Sequence, residues 1–346
     1  MINFDPASLK AVYAAAGTVT GFTGYGDDVP LKAMTTLGEG KYATFLTNDP
    51  IDGKTNLNDT DDRVMLTAVG AGTGTSLEIV QAIVNRNPFP LMPAAITMLG
   101  PSPNFWAENS KKRNYIGDDC NGGGIPGLSL PTIGVLGAAA RASVGAEITA
   151  HNPQRFTAGG QTGAATVGNV ASTIDPQWSD CAYLHQLAQD IKNRADIIGT
   201  SATPNASLGV PGSPKIVYIN DNYMIQNGFV GAGILFVTKT LHFSGDGGWT
   251  GIIFAVGLGD FERSGGGTEN LIGATVVANI SGPDGILNTA DDCAGPDEIK
   301  GNADDGLASA VHHNNGGGSG DYVYCSSAIA DVEAQFPFDI VSFRQR

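Results

Sequence analysis

Between Lys215 and Ile280 the chain repeats one phrase in different letters. "KIVYIND", "GILFVTKTLHFSG", "GIIFAVGLGDFERSG" and "GATVVANI" each set a short apolar run against a turn of Gly, Ser, Asn or Asp. No phrase of this kind can bury its own apolar face, and Gly231, Gly251 and Gly273 close successive phrases at intervals of 20 and 22 residues. A period of about 20 residues is one coil of a parallel β-solenoid, whose short strands bend at small residues and stack on the next coil. Loose repetition suffices there, because a coil must match its neighbour's shape and not its letters. Alternation within each strand predicts that Ile234, Phe236, Ile252, Phe254, Val256 and Val276 line a common interior. An antiparallel sandwich, which also uses short strands and closely spaced turn signals, is the competing architecture.

The upstream text differs in character. "PASLKAVYAAAG" predicts a short helix over Pro6 to Ala16, stopped by Gly17. "KYATFLTND", "DRVMLTAVGAG" and "SLEIVQAIVNR" are β-branched and aromatic runs separated by polar loops, as in a β-meander. In the third run Leu77, Val80 and Val84 also suit a helical face, and the strand is the expected outcome. The fold class is therefore mainly β: a meander over residues 1–88, then a parallel β-solenoid over 89–346 with one or two peripheral α-helices. Apolar phrases from Phe89 to "PTIGVLG" and on to "KIVYIND" follow without a helix, apart from an amphipathic insertion at about 180–199, where Leu184, Leu187, Ile191 and Ala195 share a stripe. "SSAIADVEAQF" predicts a second helix, and an Asp/Gly-rich insertion spans about 281–320.

A net charge of −15 over 346 residues excludes nucleic acid as a partner, since phosphate binding needs clustered Lys and Arg. No segment approaches the roughly 20 apolar residues of a membrane span, and "MINFDPASLK" shows no secretory leader. Cys120, Cys181, Cys293 and Cys325 are an even set without C-x-x-C spacing, which predicts two disulfides and an extracellular setting, with four buried free thiols as the alternative and zinc disfavoured because the residues are far apart in sequence with no nearby His pattern. Closure between neighbours in sequence predicts the pairs Cys120 with Cys181 and Cys293 with Cys325, although four cysteines allow three pairings.

Catalytic signatures are absent: there is no G-x-S-x-G, phosphate loop, H-E-x-x-H or dinucleotide fingerprint. Carbohydrate chemistry on a solenoid would need acids and a cation converging on one sheet. Asp246, Asp260, Glu262 and Arg263 are the charged residues near the coil phrases that could supply them. "DPIDGKTNLNDTDD" and "GPDGILNTADDCAGPDEIKGNADDG" are oxygen-rich loops of the kind that suits calcium, without EF-hand spacing. Asp284, Asn288, Asp291 and Asp292 are the candidate ligands, against the plainer reading of turn-forming side chains. His312 and His313, in "VHHNNGGGSG", read as a loop rather than a metal site.

"LHFSGDGGWTGIIFAVGLGDFERSGGGTENLIGATVVANI" resembles the C-terminal region of PilX-type pilus-assembly proteins, the large pilin-like components of bacterial type IV pili. "DDRVMLTAVGAGTGTSLEIVQAIV" is similar to their β-meander, "PAAITMLGPSPNF" to the start of the following domain and "FDIVSFRQR" to a closing strand. The resemblance implies a non-catalytic, cell-surface or extracellular bacterial filament subunit whose partners are other pilin subunits. It also implies a hydrophobic prepilin-type helix. This chain does not open on one, so the expectation is that the helix precedes these residues, is supplied by a separate short pilin chain, or is missing from a soluble relative. The alternatives from the residues themselves are a surface adhesin or binding module unrelated to pili, and a carbohydrate-active β-helix enzyme.

Overall fold

The computed structural model describes residues 30–51, 63–72, 77–85, 89–107, 112–120, 125, 127–226, 228–303, 305–333 and 339–345. The helix expected over Pro6 to Ala16 and most of the first acidic loop lie outside the described residues. The chain divides into two compact units, Met1–Phe89 with Phe336–Arg346, and Pro90–Gln335.

The first unit is an antiparallel sheet. Strands β1 (Pro30–Leu37), β2 (Gly40–Asn48), β3 (Arg63–Ala71) and β4 (Leu77–Asn85) follow in order, and the last strand of the chain, β22 (Asp339–Gln345), pairs with β4. The ambiguous third run is thus a strand, in full register with β3 from Arg63↔Asn85 to Ala71↔Leu77. Ala43, Phe45, Met65 and Val69 form its core, with Ile79 and Ile83 packed against them. The second unit, expected to run to Arg346, ends at Gln335, and the closing strand belongs to the meander: Ile340 pairs with Val84 and Gln345 with Val80. "FDIVSFRQR" carries no bend glycine, so it has none of the turn chemistry a coil requires, and it completes the meander instead.

The second unit winds between two parallel sheets. Six strands lie on one sheet: β12 (Ile197–Gly199), β13 (Lys215–Ile219), β15 (Val230–Val237), β17 (Gly248–Gly257), β19 (Leu271–Asn279) and β21 (Tyr322–Tyr324). They alternate in the chain with β14 (Tyr223–Ile225), β16 (Thr240–Ser244), β18 (Asp260–Ser264) and β20 (Val311–Asn315) on the other. The early part of the chain supplies the next rungs. β5 (Ile96–Met98) pairs with the second half of β19, β6 (Asn104–Trp106) with β20, and β7 (Tyr115–Ile116) with β21. Beyond them β8 (Ile133–Val135) pairs with β5, β9 (Phe156–Ala158) with β7, β11 (Val167–Asn169) with β8, and β10 (Gln161–Thr162) caps β9. The stack is therefore assembled out of chain order, with its late half placed before its early half.

Three long strands bend at a glycine ladder. Gly233, Gly251 and Gly273 are in register, with φ of 122°, 122° and 128°. A Cβ there would lie 2.0 Å from the Lys215 carbonyl oxygen, 2.3 Å from that of Gly233 and 1.9 Å from that of Gly251. Only glycine meets both the backbone conformation and the closeness of the coil below. The ladder residue of β15 is Gly233, not Gly231, which pairs with Trp249 and leaves room for its ring.

The predicted interior phase is inverted. The shared core holds Val217, Leu235, Ile253, Ile96, Ile133 and Val167 in one column and Ile219, Val237, Ala255 and Val277 in the next. Ile234, Phe236, Ile252, Phe254, Val256 and Val276 face the other side of the same sheet, and all are 0% exposed. There Tyr218, Phe236 and Phe254 stack in a ladder, with Trp178 on Phe254 at 6.2 Å. Helices cover that face: α2 (Cys181–Arg194), capped by Asp180, lies on β13, and α3 (Ser326–Glu333) on β17 and β19. A parallel strand buried on both faces reads as one apolar run, so alternation cannot choose its phase.

A third helix, α1 (Ala138–Ala150), follows β8 where a strand of the second sheet would stand, and corrects the helix-free reading of this stretch. Its inward residues Ala140, Val144 and Ile148 join the core at four-residue spacing, a stripe too small-sided to announce itself.

Gly251→Ala is expected to cost more than about 3 kcal/mol, since strain and overlap add. Gly212→Ala, at φ 87° with open space around it, should cost about 1 kcal/mol. Urea unfolding of the pair measures the difference, and equal losses would show that the ladder does not hold the coils in register.

Candidate functional site

The charged residues singled out near the coils do not converge. β18 alternates, so Phe261 and Arg263 turn inward while Asp260 and Glu262 stay on the outer face. Asp246 sits in the turn after β16 and accepts the Thr268 amide at 2.8 Å, and Asp260 accepts the Thr240 hydroxyl at 2.9 Å. An acid pair with a neighbouring cation is not assembled.

Register places a different set on that outer face. Met224, His242, Glu262, His313 and Trp106 stand in one row across five strands. Trp106 is 54% exposed and meets His313 edge-on at 5.9 Å, while His242 Nε2 lies 2.6 Å from the Ser264 hydroxyl. A flat row that mixes an exposed indole with imidazoles and a carboxylate can stack on and hydrogen-bond to a ligand lying across it. "VHHNN" is therefore a strand and not a loop. Its odd members point out and its even ones in, a signal available from the pairing of His313 with Trp106 only once β6 is known to be its neighbour.

Inside, the row beneath is partly polar. His312 is stacked between Phe105 and Phe261 at 5.1 and 5.0 Å, and neither ring nitrogen meets a hydrogen-bond partner. Burial pushes its imidazole down to about 3, assisted by the charges of His313, Arg113 and Arg263. Next to it, buried Arg113 donates to the Gly320 carbonyl at 2.8 Å and to the Asn314 side-chain oxygen, and Asn314 donates to the Tyr115 hydroxyl. Arg263, also buried, donates to the Glu269 carbonyl and lies over the Tyr322 ring at 5.1 Å. These side chains tie the glycine-rich turn at 316–320 to the early segment around Arg113, a structural role.

The Asp/Gly-rich insertion folds on its own carboxylates. Asp284 accepts the Ile286 amide, Asp291 the Asp284 amide and the Thr289 hydroxyl, and Asp292 the Asn288 and Thr289 amides. The Thr289 hydroxyl and the Asp284 amide hold the Asp291 carboxyl below its ordinary value. Asn288 accepts from Gln189 on α2 at 2.6 Å. All four candidate ligands thus have turn-building or tethering partners. A groove of about 800 Å³ runs between α2 and this insertion, lined among others by His185, Gln189, Asp292 and Lys300.

Both disulfides form, with partners other than those expected: Cys120 with Cys325 and Cys181 with Cys293. Coil order decides the pairing. β7 lies beside β21, so Cys120 just after one meets Cys325 just after the other, while Cys181 opens α2 against the insertion that carries Cys293. Asp119 strengthens the first junction. Burial alone would raise its carboxyl, yet the Ser326 hydroxyl and amide and the Ile125 and Cys120 amides hold it below its ordinary value.

No helix among the described residues is long and apolar enough to cross a membrane. No family model matches the chain, and no curated protein matches it. The structure pairs with the crystal structure of the competence-associated pilin ComZ from Thermus thermophilus at 11% identity and a TM-score of 0.18, covering 99% of this chain and 96% of that one. At that score the pairing carries no argument.

Two measurements test the buried imidazole and the disulfide pairing. His312 is neutral when folded but gains a proton in the unfolded chain below about pH 6.5, so it subtracts stability as pH falls from there toward 3. His312→Phe should remove that part of the acid sensitivity, on the order of 4 kcal/mol at the acid end, and parallel slopes for the two proteins would refute it. Non-reducing peptide mapping should join Cys120 to Cys325 and Cys181 to Cys293. A peptide joining Cys293 to Cys325 would overturn the coil order.

Proposed function

We propose that the chain is a non-catalytic, extracellular structural subunit of a type IV pilus-like filament, with the meander as its assembly unit and residues 90–335 as a solenoid body. The observation that carries this reading is the return of β22 to β4, which makes the whole of the second unit an insertion within one antiparallel sheet. A filament subunit of this kind keeps one unit for packing against its neighbours and presents the other. The resemblance of the meander, the coil phrases and the closing strand to PilX-type proteins points the same way, and two disulfides suit an oxidising exterior. The split of Arg263 from Asp260 and Glu262 favours a non-catalytic role. Partners are other pilin subunits.

An adhesive role is favoured by one further observation, the outward row ending in Trp106. Immunogold electron microscopy with antibody against residues 90–335 tests the main reading: gold should lie on filaments sheared from the cells. Label confined to the envelope beside bare filaments would overturn it. Trp106→Ala should leave filament labelling unchanged and reduce attachment of the filaments to surfaces, and unchanged attachment would remove the adhesive role.

A further inference from the structure

The Cys181–Cys293 disulfide is surrounded by more than a structural cross-link needs. Cys181 Sγ, a ring nitrogen of His185 and Cys293 Sγ all lie within 4.8 Å of one another. His185 Nε2 is 3.2 Å from Asp292 Oδ2. Cys181 and His185 are four residues apart on α2 and so share a face, while Asp292 and Cys293 are adjacent in the insertion. We propose that, when the disulfide is open, Cys181, His185, Asp292 and Cys293 form a tetrahedral Zn²⁺ site, so that metal and disulfide are alternative occupants of the same place.

Three of the four donors already lie within 4.8 Å of one another, and Asp292, which reaches His185, completes the set by side-chain rotation. With Zn–N and Zn–O bonds of about 2.0–2.1 Å, the edge between two ligands of a tetrahedron is about 3.3 Å, close to the His185 to Asp292 separation. Zn–S bonds of about 2.3 Å set the sulfurs about 3.8 Å apart, which a Cα to Cα distance of 6.1 Å accommodates by side-chain rotation. Two sulfurs, one imidazole and one carboxylate are a donor set that favours zinc over calcium. Supporting contacts are already in place: the Asn288 and Thr289 amides hold the Asp292 carboxylate at 2.6 and 3.1 Å, as outer partners do around metal ligands. The groove between α2 and the insertion gives an ion access. At the other disulfide Asp119 lies within 4.8 Å of Cys120 and Cys325 Sγ, but no imidazole joins them among the described residues and the group stops at three donors.

The exchange balances with a dithiol as reductant. Its two thiols attack in turn, the Cys181–Cys293 bond breaks as the dithiol closes into its own disulfide, and both electrons pass to the protein sulfurs. Zn²⁺ then binds the two thiolates and releases their two protons. Before oxidation the same site is open without any reductant. This inference does not depend on the filament reading.

The test uses the whole chain with Co²⁺ as a spectroscopic probe. The oxidised protein should give no thiolate-to-cobalt charge-transfer absorption. Protein reduced in the presence of one equivalent of Co²⁺ should give it with tetrahedral ligand-field bands, and Zn²⁺ should bleach both. The double variant Cys120→Ser with Cys325→Ser should keep the signal, and Cys181→Ser with Cys293→Ser should lose it. His185→Ala and Asp292→Asn should each weaken cobalt binding at least tenfold. Because reduction could unfold the chain, alkylation is followed in parallel: Zn²⁺ should protect Cys181 and Cys293 but not Cys120 and Cys325. Absence of the signal in the reduced protein, its survival without Cys181 and Cys293, or protection of the other pair would overturn the proposal.

Discussion

The stack depends on one seam. β19 and β21 end the run of coils built by the late part of the chain, and their open edges are covered by early strands, the second half of β19 by β5 and β21 by β7. The Thr275 amide bonds the Ala95 carbonyl at 2.9 Å, the Leu99 amide bonds the Val277 carbonyl at 2.9 Å, and the Tyr322 amide bonds the Asn114 carbonyl at 2.9 Å. Without that pairing two coil edges would lie open, each with unpaired backbone and an apolar end. The seam is also where the interior turns polar. Arg113, Tyr115, Asn314 and Tyr322 come from the two sides and are joined there by hydrogen bonds and by ring stacking, Tyr115 on Tyr322 at 4.7 Å. A purely apolar join would tolerate sliding by a residue pair, whereas directional bonds between named partners fix the register. Cys120 and Cys325 then close the seam covalently, a loop of 205 residues worth roughly 5 kcal/mol on the chain-entropy account.

Much of the strand content was legible because it depends on local chemistry. β-Branched runs between polar loops marked β2, β3 and β4, and apolar phrases between glycines marked the coils from Lys215 to Ile280. What stayed hidden depends on partners distant in sequence. The interior phase of β15 and β17 could not be read because Trp178, α2 and α3 bury the second face as thoroughly as the core buries the first. The ladder glycine was misplaced by two residues, since Gly231 and Gly233 look alike until register shows which one faces a carbonyl below. Helix α1 hid because Ala140, Val144 and Ile148 form its inward stripe without a leucine among them.

The chemistry-bearing residues followed the same division. Composition foresaw that the cysteines pair, but closure between sequence neighbours named the wrong partners, because coil order and not chain distance brings sulfurs together. Glu262 and Arg263 are adjacent in the chain and lie on opposite faces of β18. Conversely, Trp106 and His313 are more than two hundred residues apart and share a row. His185, which sequence reasoning passed over, had one visible sign: it sits four residues after Cys181 on the predicted amphipathic helix.

The position of the seam also sets how the second unit bears tension. Its two covalent connections to the rest of the chain, at Pro90 and Gln335, lead directly to β5 and from β21 by way of α3, strands that flank the same rung of β19. A pull between those connections travels along residues 90–120, crosses the Cys120–Cys325 bond and leaves through residues 325–335. The coils from β8 through β19 lie off that line. With the bond closed, residues 121–324 form a covalently closed loop off that line, and a pull on the two connections cannot draw them out. With the bond open, the same line runs through the whole of residues 90–335, and every coil becomes part of the extensible chain.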